Sequence, residues 1–202
     1  MVHSESKTSQ ILALIREVGV LRPRDLSARG IHPSNLALLY RQGVITRTGR
    51  GLYTLADGGW TENHSLVEAS RRVPGAVIGL ASALRFHELT NEMPHQVWVF
   101  ISRKARKPRV DYPSLNIFRC EPERLMEDTI NPIVEGTRVC ITSISRTVVD
   151  CFLHRRIVGL DVAIQALRET VQRRLCSPAE LSQIARKRRA WNTMRPYLEA
   201  LL

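Results

Sequence analysis

Acidic residues are scarce in this chain: 19 Asp and Glu stand against 30 Lys and Arg in 202 residues, a formal charge of +11 with a pI near 10.4. That imbalance favours nucleic acid or another acidic partner. Residues 1 to 60 hold eight Lys and Arg against four acids, and residues 61 to 202 hold 22 against 15, so both regions are basic. Composition alone does not assign the second excess to DNA, because a basic face can equally meet an acidic protein. Cysteine is sparse too. Cys120, Cys140, Cys151 and Cys176 lie too far apart for a CxxC redox or zinc pattern, and none pairs with a His at ligand spacing, so they read as buried free thiols and no metal is expected. Long apolar runs are missing: the longest, Ala76 to Leu84, is nine residues against the roughly 20 that span a bilayer. With a polar N-terminus and no secretory pattern, the expectation is a cytoplasmic protein without a membrane partner.

The commonest catalytic signatures are absent as well. A restriction-type nuclease needs an acid followed by Glu/Gln-x-Lys, and the one Glu-x-Lys, Glu5-Ser6-Lys7, lies in the polar N-terminal tail. There is no GxxxxGK[ST] phosphate loop, no GxSxG elbow, and no Gly-Ser turn followed by Asp-x-Asp. No catalytic residue and no cofactor are expected. Dispersed Ser, His and Asp leave only a triad of unfamiliar order as an enzymatic alternative.

What is present is punctuation for a winged helix-turn-helix. Ile11, Leu14, Ile15 and Val18 recur at helical spacing before Gly19. Pro23 and Gly30 then bracket a helix of about two turns, and Pro33 and Gly43 bracket another, in which Leu36, Leu39 and Tyr40 form the inward stripe. Val44 to Arg47 and Leu52 to Leu55 are β-prone runs around Thr48-Gly49-Arg50-Gly51, a basic hairpin. Such a module lays its second helix in the major groove, so Ser34 and Asn35 are the expected base readers, with Ala37 and Leu38 on the same outward face. Arg41, Arg47, Thr48 and Arg50 are expected on phosphates, or in the minor groove for Arg50 at the wing tip. Residues 31 to 56 contain three arginines and no acid, as a surface for a polyanion requires. A purely structural winged helix is the competing reading.

A domain boundary is placed at the turn-rich Ala56 to Trp60, giving a DNA-binding domain over 1–58 and an α+β domain over 59–202 with a helical tail from about 156. Within it, Thr61–Arg72 and Ser82–Leu89 read as helices, and Ala76–Leu80, Gln96–Ile101, Leu115–Arg119 and Val139–Ile141 as strands. From Ser143 the chain reads as helical, with breaks at Gly159, at Ser177-Pro178 and before Trp191. Arg146 and Asp150 stand at i, i+4 on a helix capped by Thr142 or Ser143, which predicts a surface ion pair worth about 0.3–0.5 kcal/mol. His87 is expected to be half-buried and hydrogen-bonded. The loop Arg103, Lys104, Arg106, Lys107 and Arg109 is either a solvated turn or an accessory phosphate or partner site. Arg186 to Arg189 beside Trp191 poses the same choice.

The order of these motifs resembles the AbiEi antitoxins: the wing ending Arg50-Gly51-Leu52-Tyr53, the string Ser82 to Leu89, and Thr142 to Asp150. The resemblance spans Ile11 to Phe152. It implies an N-terminal domain that binds double-stranded operator DNA and represses its own operon, in a type IV abortive-infection toxin–antitoxin system of viral defence. It further implies a C-terminal domain that counters a nucleotidyltransferase-like toxin, in a class where the two often form no stable complex. The expected assembly is a monomer in solution or a dimer on inverted-repeat DNA. A plain winged-helix regulator, whose second domain dimerises or senses a ligand, is the alternative.

Overall fold

The computed structural model describes residues 7–56 and 61–202. Helical periodicity in the first forty residues is realised as α1 (Lys7–Val18), α2 (Pro23–Ser27) and α3 (Ser34–Arg41). Ile11, Leu14 and Ile15 from α1 meet Leu26, Leu36 and Leu39 from the other two, with Leu21, Ile31 and Ile45 closing the core. Each such side chain contributes about 1.5–3 kcal/mol by leaving water. Helix α2 is shorter than the two turns expected. Gly30, at φ +70°, reverses the chain so that the Ile31 amide returns to the Leu26 carbonyl at 3.0 Å, and Gly43 ends α3 in the same way. Tyr40 departs from the expected inward stripe and is 50% exposed, because α3 stops one residue later and nothing closes over the ring.

Strands β1 (Ile45–Gly49) and β2 (Leu52–Leu55) pair antiparallel, with a register shift between Arg47 and Gly49 at the turn. A bridge from Leu21 to Tyr53 ties this wing to the segment entering α2. The arrangement is the winged helix that the sequence predicts. The expected boundary between 58 and 59 lies outside the described residues.

The second part runs α4 (His64–Arg72), β3 (Val77–Ile78), α5 (Leu80–Phe86), β4 (Val97–Ser102), β5 (Leu115–Cys120), α6 (Pro122–Leu125), β6 (Thr129–Ile130), β7 (Ile133–Val134), β8 (Thr137–Arg138) and β9 (Ile141–Thr142). It ends in α7 (Ile144–Leu153), α8 (Arg155–Val158), α9 (Leu160–Gln172), α10 (Pro178–Lys187) and α11 (Trp191–Glu199). Five strands form a mixed sheet in the order β5-β4-β3-β9-β6, with β4/β5 and β3/β9 parallel and the other pairs antiparallel. Alternation along β3 and β4 sorts their side chains by face. Val77 and Phe100 join Leu84, Val148, Phe152, Leu167 and Met194 under the helical tail. Ile78, Val97, Val99 and Ile101 face Leu66 and Val67 of α4, together with Val20 and Leu52 of the winged helix. The winged helix and the sheet therefore share one apolar layer.

Several elements differ from the sequence expectation. The strand over Ala76–Leu80 shortens to Val77–Ile78 and α5 starts two residues early, because Leu80 turns the chain at φ +49°. Helix α5 ends at Phe86, before Leu89, with Glu88 at φ +56°. The strand predicted over Val139–Ile141 pairs as Ile141–Thr142, and the short α6 and β6–β8 carried no sequence signal. The largest correction concerns Arg146 and Asp150, which are fully buried. Asp150 accepts from Arg146 Nε at 3.2 Å and from Arg188 Nε at 2.7 Å, while Arg146 Nη1 donates to the carbonyls of Leu125, at 2.8 Å, and Glu127. Ser143, not Thr142, caps α7 by accepting the Arg146 amide at 3.2 Å. Periodicity does not reveal that α10 closes over this face and brings Arg188 with it.

Candidate nucleic-acid interface

Helix α3 turns Leu36 and Leu39 inward, and helical spacing then places Ser34, Ala37, Leu38 and Arg41 on the solvent side. Leu38 is 51% exposed, an apolar side chain on that outward face. The two expected base readers are held locally. Ser34 Oγ lies 2.8 Å from Nδ1 of the exposed His32, and the half-buried Asn35 donates from Nδ2 to the His32 carbonyl at 2.9 Å. Both bonds are local to the start of the helix and leave each side chain further hydrogen-bonding capacity, Oδ1 and a second amide hydrogen in the case of Asn35. His32 itself was missed by sequence reasoning.

On the wing, Arg50 projects from the turn and forms no ion pair among the described residues, as is true of Arg41. Arg47 is exposed and folds back, donating from Nε to the Gly49 carbonyl at 3.0 Å. Thr48 is half-buried, and its hydroxyl donates to Glu68, a fully buried carboxylate on α4. Thr48 therefore holds the wing against the second part of the chain instead of facing outward. Glu68 also accepts from Arg72 Nε at 3.3 Å, and His64 lies 3.8 Å away and bonds Glu135 at 2.7 Å. The Arg72 guanidinium lies so close to Gly49 that any Cβ there would overlap it.

These contacts account for the acids near the interface. Asp25 accepts the Arg22 amide at 2.9 Å and pairs with Arg71 at 3.4 Å, while Glu68 is buried. Arg22, Arg71 and Arg72 carried no sequence signal, because the folding of α4 against the wing is what assembles them. The loop after β4 keeps Arg103, Lys104, Arg106, Lys107 and Arg109 exposed. Arg103 is matched by Glu121 at 2.7 Å, and Arg119 holds the turn by donating to the carbonyls of Ser102, Arg103 and Ala105. Arg109 comes back to the wing, beside Arg50. In the tail, Lys187 pairs with Asp128 at 3.2 Å, Arg188 is buried on Asp150, and Arg186 stacks 4.4 Å over Trp191.

Reactive side chains outside this surface are quiet. His87 is half-buried, with Nε2 2.7 Å from the Thr142 carbonyl, and burial pushes its imidazole below the ordinary value. Burial, with repulsion from Glu180, pushes the Cys176 thiol up to about 12, and it also raises Cys151 and Cys140. Such groups remain thiols at neutral pH. Cys151 alone is fully buried and the other three are partly exposed. Among the described residues no group of three or more His, Cys, Asp or Glu is placed to hold a metal ion, and no helix is long and apolar enough to cross a membrane. A cavity of about 560 Å³ opens between α5, the start of β4 and α8–α9, lined by Leu84, Met93, His95, Trp98, Ile157 and Val162 among others.

Comparison with known proteins matches residues 9–56, the winged helix, to the family described as "Transcriptional regulator, AbiEi antitoxin". No curated protein matches the chain. Among solved structures, the fold is similar to the crystal structure of the RV2827C protein from Mycobacterium tuberculosis, with a TM-score of 0.65 at 16% identity over 96% of this chain and 77% of that one. At that identity the likeness is one of fold.

Proposed function

We propose, from the match of residues 9–56 to the family of AbiEi-antitoxin transcriptional regulators, that the chain is a DNA-binding autorepressor and the antitoxin of a type IV abortive-infection system. It binds double-stranded operator DNA upstream of its own operon and counters a nucleotidyltransferase-like toxin, with or without a stable complex. It works in the cytoplasm by binding and not by catalysis, as a monomer in solution or a dimer on an inverted repeat. The observation that carries the reading is the solvent face of α3 and the wing, where Ser34, Leu38, Arg41, Arg47 and Arg50 stand together while Asp25 and Glu68 are paired or buried. An acid-free cationic surface beside a groove-sized helix suits phosphates on either side of a major-groove contact.

The test is a fluorescence-anisotropy titration against the DNA upstream of the gene and a scrambled duplex, at two salt concentrations. Preference for the upstream sequence that survives the higher salt is expected, and equal, salt-erased binding to both duplexes refutes an operator. Co-expression then tests the toxin half of the reading: residues 61–202 should relieve arrest by the neighbouring nucleotidyltransferase, and failure of the whole chain to rescue leaves a plain regulator. The cavity walled by Trp98 and Leu84 favours that second reading, because its apolar lining suits a small effector of the second domain.

A further inference from the structure

Beside the wing turn lies a cleft of about 420 Å³, walled by Arg22 before α2, Arg50 and Gly51 of that turn, Arg72 at the end of α4, and Arg109 and Asp111 of the loop after β4. Four stretches distant in sequence converge there, bringing four arginines against one aspartate. Glu68 matches Arg72 at 3.3 Å, whereas Arg22, Arg50 and Arg109 form no ion pair among the described residues. Asp111 offsets one of those three, so two guanidinium charges face the cleft unmatched. Burial, followed by repulsion from Arg24 and Arg71, holds the Arg22 guanidinium below its ordinary value, with Asp25 opposing. A bound anion would relieve that repulsion. Guanidinium forks fit phosphate oxygens in paired hydrogen bonds, and the volume lies within the range of small-ligand sites, about 300–1,000 Å³.

We propose that this cleft is a phosphate-binding site, taking either a backbone phosphate of DNA beside the wing or the polyphosphate of a free nucleotide that competes with DNA. It recruits the second part of the chain, through Arg72 and Arg109, to a surface otherwise made by the winged helix. The DNA source rests on the DNA-binding reading above, and the nucleotide source does not.

Two arms on the full chain separate the sources, using Arg109→Gln on the exposed loop and Arg22→Gln in the cleft wall, each with a thermal melt to confirm folding. In the first, inorganic tripolyphosphate is titrated calorimetrically without DNA. Binding that weakens at least about tenfold in either variant, the scale of one charge-assisted hydrogen bond, assigns the site to a free polyphosphate. In the second, upstream DNA is titrated at several salt concentrations. A slope shallower by about one unit in Arg109→Gln assigns the site to a backbone phosphate. Tripolyphosphate binding that is absent or is changed by neither variant, together with an unchanged DNA slope, overturns the proposal. If the wild type shows no preference for upstream DNA, the operator reading falls and the tripolyphosphate arm alone decides the cleft.

Discussion

Replacing Asp150 with Asn should be among the most destabilising single changes available, although it alters one atom in a helix that sequence reading places at the surface. The side chain is fully buried, and its two oxygens accept from Arg146 at 3.2 Å and Arg188 at 2.7 Å. Asn keeps the volume but removes the charge, and turns an NH₂ donor toward one guanidinium. Two buried cations then share a site with no anion. Breaking a buried pair costs about 3–5 kcal/mol, and at about 2–4 °C per kcal/mol for a chain of this size the melting temperature should fall by roughly 6–20 °C. Arg188→Met is a milder change, because Arg146 and Asp150 remain as a neutral pair; it should cost about one charge-assisted hydrogen bond, ~1.5–3 kcal/mol. Differential scanning calorimetry of the three proteins at neutral pH gives both magnitude and rank. A shift under about 2 °C for Asp150→Asn, as an exposed i, i+4 pair worth ~0.3–0.5 kcal/mol would produce, refutes the reasoning, and so does a larger loss in Arg188→Met.

Arg41→Ala and Arg50→Ala should each weaken binding to upstream DNA and make the salt slope shallower by about one unit, read by anisotropy at four salt concentrations. Asn35→Ala should relax sequence preference by about 1–3 kcal/mol in a competition assay, through loss of an amide contact to a base edge; an unchanged preference would assign Asn35 to its bond with the His32 carbonyl alone. Thr48→Val removes the donor that Glu68 accepts and should cost ~1.5–3 kcal/mol in urea unfolding, with the wing amides losing hydrogen-exchange protection first. Stability should decline in acid. Burial lowers the folded-state values of His87 and His154, so the unfolded chain takes up protons first as pH falls below the ordinary histidine value of about 6.5. Melting temperatures across pH 5–8, a window around that value, should be flat above it and fall below it, and a flat profile throughout would contradict the burial of these rings.

Local signals were enough to find the winged helix. Pro23, Gly30, Pro33 and Gly43 set helix ends through backbone geometry that each residue carries by itself, and the apolar spacing in α1 and α3 follows from 3.6 residues per turn. The strongest strands, β4 and β5, were equally legible, because runs such as Val97 to Ile101 have no other economical way to bury both faces. Two-residue strands such as β6 and β8 were not: they are defined by the partners they reach, and no spacing rule encodes a partner.

The outward residues of α3, the arginine at the wing tip and the deficit of acids were written in the order of residues, since periodicity and charge are properties of the chain itself. Folding altered what three residues of the predicted surface patches are free to do. It bound Thr48 to a carboxylate 20 positions away, tied Asn35 to the start of its own helix, and brought Arg109 back beside Arg50. It also took Arg146 and Asp150 from a surface pattern into the core by laying Arg188 across them, 38 positions from Asp150. Sequence spacing registers neighbours within a turn or two, whereas burial and pairing are settled by which distant element covers a face.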